Sequence, residues 1–137
     1  HIFKTWARAM GFGVFLTVLV QSSSITTSLV VPLAGAGILQ LEQIFPYTLG
    51  SNIGTTVTAI LASLVSGTHA PLAVAFSHLL FNIFGILIIW GIPPIRQIPL
   101  RLSRGLAGLA VKNRMVPFIY ILSVFFILPL TLIFMVR

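Results

Sequence analysis

Apolar runs dominate this chain, and its polar positions come in clusters. Residues 10–20 form an apolar run broken only by Thr17, and residues 29–39 form a second, with Pro32, Gly35 and Gly37 inside it. At about 1.5 Å per residue, neither reaches the roughly 30 Å of a hydrocarbon core. Between them lies QSSSITTS, residues 21–28. Two short apolar arms around a polar turn predict a re-entrant helical hairpin with its tip near QSSS. The competing reading is one tilted helix over residues 10–31 with a polar middle. Non-helical backbone at membrane depth needs cover from protein or from a water-filled cavity.

The pattern continues with QLEQIF, residues 40–45, which reads as a surface turn. Residues 46–66 are long enough to span, polar in the first half and apolar in the second. GTHAP, residues 67–71, reads as a turn, and residues 71–92 as a transmembrane helix. Pro93, Pro94 and a basic loop follow, and residues 116–136 form the last transmembrane helix, with Arg137 beyond it. The expected fold class is therefore an all-α integral membrane protein: a re-entrant helical hairpin plus transmembrane helices, organised as one domain over residues 1–137.

Composition supports this reading. The chain is 58% hydrophobic and only 7% charged, against about 25% charged in an ordinary soluble domain. Its net charge of +7 raises the question of nucleic acid. Arg96, Arg101, Arg104, Lys112 and Arg114, however, are gathered in one stretch between apolar segments, as the positive-inside rule expects of a cytoplasmic loop near anionic headgroups. No aromatic or glycine-rich recognition pattern accompanies them, so no nucleic-acid partner is expected. With that loop inside, residues 71–92 would run inward and residues 116–136 outward. The chain has no cysteine, which removes disulfides and thiolate chemistry. It begins at His1 without a visible signal peptide, and it is expected to be a piece of a longer protein.

A second polar cluster, GSNIGTTVT, spans residues 50–58. On a helix Ser51, Thr55 and Thr58 fall at i, i+4 and i+7 and share one face. Gly50 and Gly54 flank Asn52 and predict a local unwinding. Both clusters offer hydroxyls, amides and backbone groups, and neither offers a carboxylate. Neutral oxygens suit a hard cation, and broken helices in transporters turn carbonyl ends to the cation and N–H ends to an anion. A hydroxyl can donate to an oxyanion or turn its lone pairs to a cation. The plainer reading is that the hydroxyls only join helices, at about 1 kcal/mol or less each.

Other polar positions are read as structural. His78 and Asn82, at i and i+4 with Ser77 alongside, suit an interhelical hydrogen bond better than a proton relay. Thr17 is expected to bond back to its own helix, and Gly105 and Gly108 to lend flexibility to the basic loop. Trp6, Trp90 and Tyr120 are candidate interfacial anchors. An enzyme is not expected. The single acid, Glu42, cannot make a two-carboxylate site, and His1, His69 and His78 are scattered.

QSSSITTSLVVPLAGAGI together with PYTLGSNIGTTVTAILASL resembles the type II sodium–phosphate cotransporter family, as does HLLFNIFGILIIWGIPPIRQIPLRL with the basic loop after it. That family has two inverted repeats, each with its own QSSS. This chain has one QSSS, in surroundings similar to the second repeat, and it stops before a final membrane segment of the larger members. The resemblance implies one half of an inverted-repeat transporter, with the first repeat of the same transporter needed to complete the site.

The resemblance further implies sodium-coupled symport of inorganic phosphate, with the QSSS tip facing the 50–58 cluster near the membrane midplane. Gln21, Ser22, Ser23 and Asn52 would meet phosphate; Gln21, Ser51, Thr55 and Thr58 would meet sodium. Sodium is the coupling ion, and no cofactor is implied. Partners are phosphate, sodium ions and the lipid bilayer. The expected location is the plasma membrane (a bacterial inner membrane or a eukaryotic cell membrane), crossed several times. Sodium-coupled symport of another oxyanion and a non-transporting membrane scaffold or subunit remain the alternatives.

Overall fold

A computed structural model describes residues 2–65 and 67–136. The end of the 46–66 span, His1 and Arg137 lie outside the described residues. Every element among the described residues is helical: α1 (Trp6–Val20), α2 (Ser23–Gly35), α3 (Leu41–Val65), α4 (His69–Gly91), α5 (Pro93–Lys112), α6 (Met115–Leu122) and α7 (Leu128–Met135). A short 3-10 turn, Ile2–Lys4, precedes α1, and a π-helical turn, Ser123–Ile127, joins α6 to α7. No strand occurs among the described residues. The chain divides between Arg96 and Gln97 into two compact units.

In the first unit α1 and α2 are the two arms of a hairpin. With 15 and 13 residues they measure about 22 and 20 Å, too short to span alone. The turn falls at Gln21, which adopts the left-handed conformation with φ 57° and ψ 23°. The next residue, Ser22, caps α2: its Oγ accepts from the Ile25 N–H at 3.3 Å. The serines of QSSS thus open α2, which begins well before the apolar run over 29–39. A single tilted helix over 10–31 is excluded by this break.

Three corrections to the sequence reading concern where helices run. Residues 40–45 are the start of α3 rather than a surface turn. Gln43 makes the start: its Oε1 accepts from the Gln40 N–H at 2.8 Å, the reciprocal half of a capping box, and its Nε2 donates to the Phe3 carbonyl at 3.2 Å. Pro46 lies inside the helix and costs one backbone bond. Secondly, residues 50–58 do not unwind, and α3 is continuous from Leu41 to Val65. The basic loop is the third case, being the 20-residue helix α5. Its charge pattern is that of an amphipathic helix, and Gly105 and Gly108 sit within it.

Glycine matters in α3 for approach rather than for flexibility. A Cβ on Gly50 would overlap the Met10 carbonyl oxygen, and one on Gly13 would overlap the Tyr47 carbonyl oxygen. The two helices run side by side at backbone contact, which only small residues allow. Around this seam Ala9, Val30 and Tyr47 are buried, with Phe3, Phe12, Leu16, Leu39 and Ile44 packed on them. Phe3 meets Phe12 edge-on at 6.1 Å and Tyr47 at 5.7 Å. The other face of α3 packs on α4, where Trp90 lies 5.4 Å from Trp6 and 6.2 Å from Phe45. The Arg96 guanidinium stands 4.7 Å over the Trp90 ring, so Trp6, Phe45 and Trp90 form one aromatic cluster with Arg96 on it.

Most large side chains nevertheless point outward. Phe81 is 75% exposed and Phe134 72%, an arrangement suited to lipid rather than water. Among the described residues, three helical stretches are long and apolar enough to cross a membrane: Leu41–Val65, His69–Gly91 and Met115–Met135. The last belongs to the second unit and contains the π-turn. Pro129 has no N–H to return to the preceding turn, and the Leu128 N–H bonds instead to the Ser123 carbonyl, five residues back.

Candidate functional site

The hairpin meets α3 through hydroxyls. Thr17 Oγ1 lies 2.7 Å from Ser51 Oγ and 2.9 Å from Thr26 Oγ1, and the Thr26–Ser51 pair closes the triangle at 3.0 Å. All three side chains are fully buried. Thr26 Oγ1 also lies 2.9 Å from the Ser22 carbonyl and 3.0 Å from the Ser23 carbonyl. Beneath it, the buried Tyr47 hydroxyl donates to the Thr26 carbonyl at 2.7 Å. The helix break after Val20 therefore hangs on side chains from three helices. Gly54 makes room for them, since a Cβ there would stand 2.6 Å from the Thr17 Cβ.

Proton accounting gives this knot its character. Each hydroxyl carries one proton. The triangle has three edges, and Thr26 faces two carbonyls besides. Three protons cannot place a straight hydrogen bond on every one of these contacts. The cluster is therefore rich in lone pairs and short of donors, an environment that favours positive charge.

Beside the knot opens a cavity of about 520 Å³ lined by Gln21, Thr55, Thr58, Ala59, Leu61, Ala62 and Val65. Thr55 Oγ1 donates to the Ser51 carbonyl at 3.1 Å, and Thr58 Oγ1 to the Thr55 carbonyl at 2.7 Å. With their protons spent on the helix, both hydroxyls have only lone pairs left to offer the cavity. The Gln21 amide brings an oxygen and two N–H donors. At the same tip the first-turn N–H groups of α2 lie beyond the reach of its own carbonyls, which gives an anion-favouring end.

Gln21, Thr55 and Thr58 are thus brought together on one cavity, while Ser51 lies buried next to them. Ser22 and Ser23 sit at the first turn of α2, half-buried. Asn52 is placed elsewhere: it is exposed, it does not line this cavity, and its carbonyl accepts from Asn82 Nδ2 at 3.4 Å. That bond is the interhelical contact expected of Asn82, whereas His78 is exposed and Ser77 bonds to its own helix at Ala73. Sequence reasoning missed Thr26 and gave Thr17 a bond to its own helix; its partners are across helices. The signal was available for Thr26, the one hydroxyl of QSSSITTS four residues after Ser22, which a helix starting at Ser23 turns inward.

These features define the class: an all-helical integral membrane protein in which a short hairpin delivers polar groups to a spanning helix. The chain belongs to the Na+/Pi-cotransporter family, whose profile it matches over residues 1–92. It is 45% identical over 122 residues to the human sodium-dependent phosphate transport protein 2B, covering 87% of this chain and 18% of that protein. It is 43% identical over 131 residues to transport protein 2A of Ovis aries, covering 91% of this chain and 20% of that one. Against transport protein 2C of Rattus norvegicus the identity is 44% over 121 residues. The chain spans about a fifth of the length of these relatives. No solved structure matches it.

Proposed function

We propose that the chain supplies one half of a sodium-coupled inorganic phosphate symporter of the plasma membrane, completed by the first repeat of the same transporter. The observation that carries this reading is the cavity where Gln21 meets Thr55 and Thr58. Hydroxyls that present only lone pairs select a cation, and sodium takes such oxygens. Ser51 couples that ion to the hairpin. An ion drawing on its oxygen competes with Thr17 and Thr26, the bonds that hold the tip. The tip then offers phosphate the Gln21 amide, the Ser22 and Ser23 hydroxyls and the N–H groups opening α2. Asn52 takes part only if the first repeat reaches its exposed side. Rocking of the two halves would expose the site to each side in turn. The names of the relatives support sodium and phosphate as the cargo; the donors alone would serve another oxyanion.

The test is radiolabelled phosphate uptake into proteoliposomes holding the chain alone, or the chain joined to a first repeat, in a sodium gradient and in a matched potassium gradient. Sodium-dependent uptake by the joined protein supports the reading, and uptake by the chain alone would mean that two copies build the site. Phosphate uptake by neither, or uptake equal in the two cations, rejects it.

A further inference from the structure

The helix α5 takes no part in the site described above. In sequence Ile92 alone separates it from the apolar stretch His69–Gly91, and Asn113 and Arg114 alone separate it from Met115–Met135. Arg96, Arg101, Arg104 and Lys112 bar it from crossing hydrocarbon. A helix tied in sequence at both ends to such apolar stretches, and unable to cross, suits the bilayer surface. Its side chains are sorted for that position. Ile98, Leu102 and Leu109 share one face and are 54%, 69% and 55% exposed, while Leu100, on another face, is buried. An exposed apolar face flanked by cations is the geometry of an interfacial helix.

Within the unit that begins at Gln97, a groove of about 670 Å³ follows that face. Pro99, Leu102, Leu106 and Leu109 line it with Tyr120 of α6, and Arg101 is its cationic lining residue. Glu42 is the sole acidic residue in the sequence, so no carboxylate side chain within this unit competes for Arg101. An apolar wall with one guanidinium that meets no acidic side chain of its own unit fits a ligand that is apolar along its length and anionic at its end. A zwitterionic headgroup, whose phosphate is already balanced by its own cation, gains less.

We propose that this groove binds an anionic phospholipid, its phosphate on Arg101 and an acyl chain along Leu102, Leu106 and Leu109. The assignment does not depend on what the protein transports.

The experiment is native mass spectrometry of the full chain released from detergent micelles holding equal amounts of phosphatidylglycerol and phosphatidylcholine. The expected result is preferential retention of phosphatidylglycerol. Arg101→Gln should lower that retention about fivefold, the effect of one surface cation on membrane association. Arg8→Gln, which removes the same charge from α1, should leave it unchanged. Leu106→Trp should lower it by filling the groove, and soluble glycerol phosphate should not displace the lipid. Equal retention of the two lipids overturns the proposal, as does an equal loss in Arg8→Gln and Arg101→Gln. Unchanged retention in Leu106→Trp, or displacement by glycerol phosphate, overturns it as well.

Discussion

Thr17 and Ser51, 34 positions apart in sequence, hold their hydroxyl oxygens 2.7 Å from each other. This bond fastens the first arm of the hairpin to the polar half of the spanning helix. Thr26 joins both, so the two arms and α3 meet at one buried point. The hairpin is too short to be held by a bilayer alone, and this point is its polar anchor.

Removing that anchor should cost stability without changing shape. Thr17→Val keeps the volume and deletes the hydroxyl, leaving Ser51 and Thr26 one partner fewer in a buried site. A loss of about 1–2 kcal/mol is expected, read as a lower midpoint of thermal unfolding in detergent. Thr17→Ser should retain most of it. An unchanged midpoint in the valine variant would mean that the contact carries no stability.

Tyr47→Phe tests the layer beneath. The phenol donates to the Thr26 carbonyl at 2.7 Å and is fully buried. Its loss should cost about 1 kcal/mol, and it should not add to the cost of Thr17→Val, because both act on the anchoring of α2. Full additivity in the double variant would show two independent contacts.

The seam between α1 and α3 makes a sharper contrast. Gly50→Ala puts a methyl into the Met10 backbone, and overpacking of this kind costs roughly 1–3 kcal/mol. Gly85→Ala meets nothing within 4 Å on α4, and should be neutral or mildly stabilising by helix propensity. Thermal midpoints of the two variants decide it; equal effects would argue against backbone contact at Gly50.

Gln21 sets stability against function. A left-handed backbone at a non-glycine residue costs roughly 1–2 kcal/mol, and glycine adopts it freely. Gln21→Gly should therefore leave the fold as stable as before or slightly more so, while phosphate uptake falls because the cavity loses its amide. Stability and uptake measured on the same preparation separate the effects. Retained uptake would make Gln21 a turn residue only.

Much of this was legible in the sequence. The hairpin followed from two runs too short to span, and the shared face of Ser51, Thr55 and Thr58 followed from helical spacing. What failed depended on neighbours. Gly50 and Gly54 beside Asn52 read as a break, because glycine frees a backbone equally for unwinding and for close contact. Only the position of Met10 and Thr17 shows which applies. Gln43 could not be read as a helix start without its bond to Gln40. The basic stretch reads as a loop because its cations are gathered between two apolar segments and Gly105 and Gly108 suggest flexibility, neither of which excludes a helix along the membrane surface. The resemblance puts Asn52 with the QSSS tip, yet Asn52 is exposed while its neighbour Ser51 is buried, so the two lie on different faces of α3.

The most direct test of the account is the sodium activation curve of phosphate uptake by the assembled transporter carrying Thr55→Ala, compared with the unaltered protein. Thr55 lines the cavity without joining the hydroxyl triangle, so the variant should fold. If Thr55 offers its oxygen to the coupling ion, the sodium concentration for half-maximal uptake should rise about tenfold, as expected for one lost interaction of roughly 1.4 kcal/mol. The phosphate dependence at saturating sodium should stay nearly the same. An unchanged sodium curve with normal expression would contradict the assignment of this cavity to the cation.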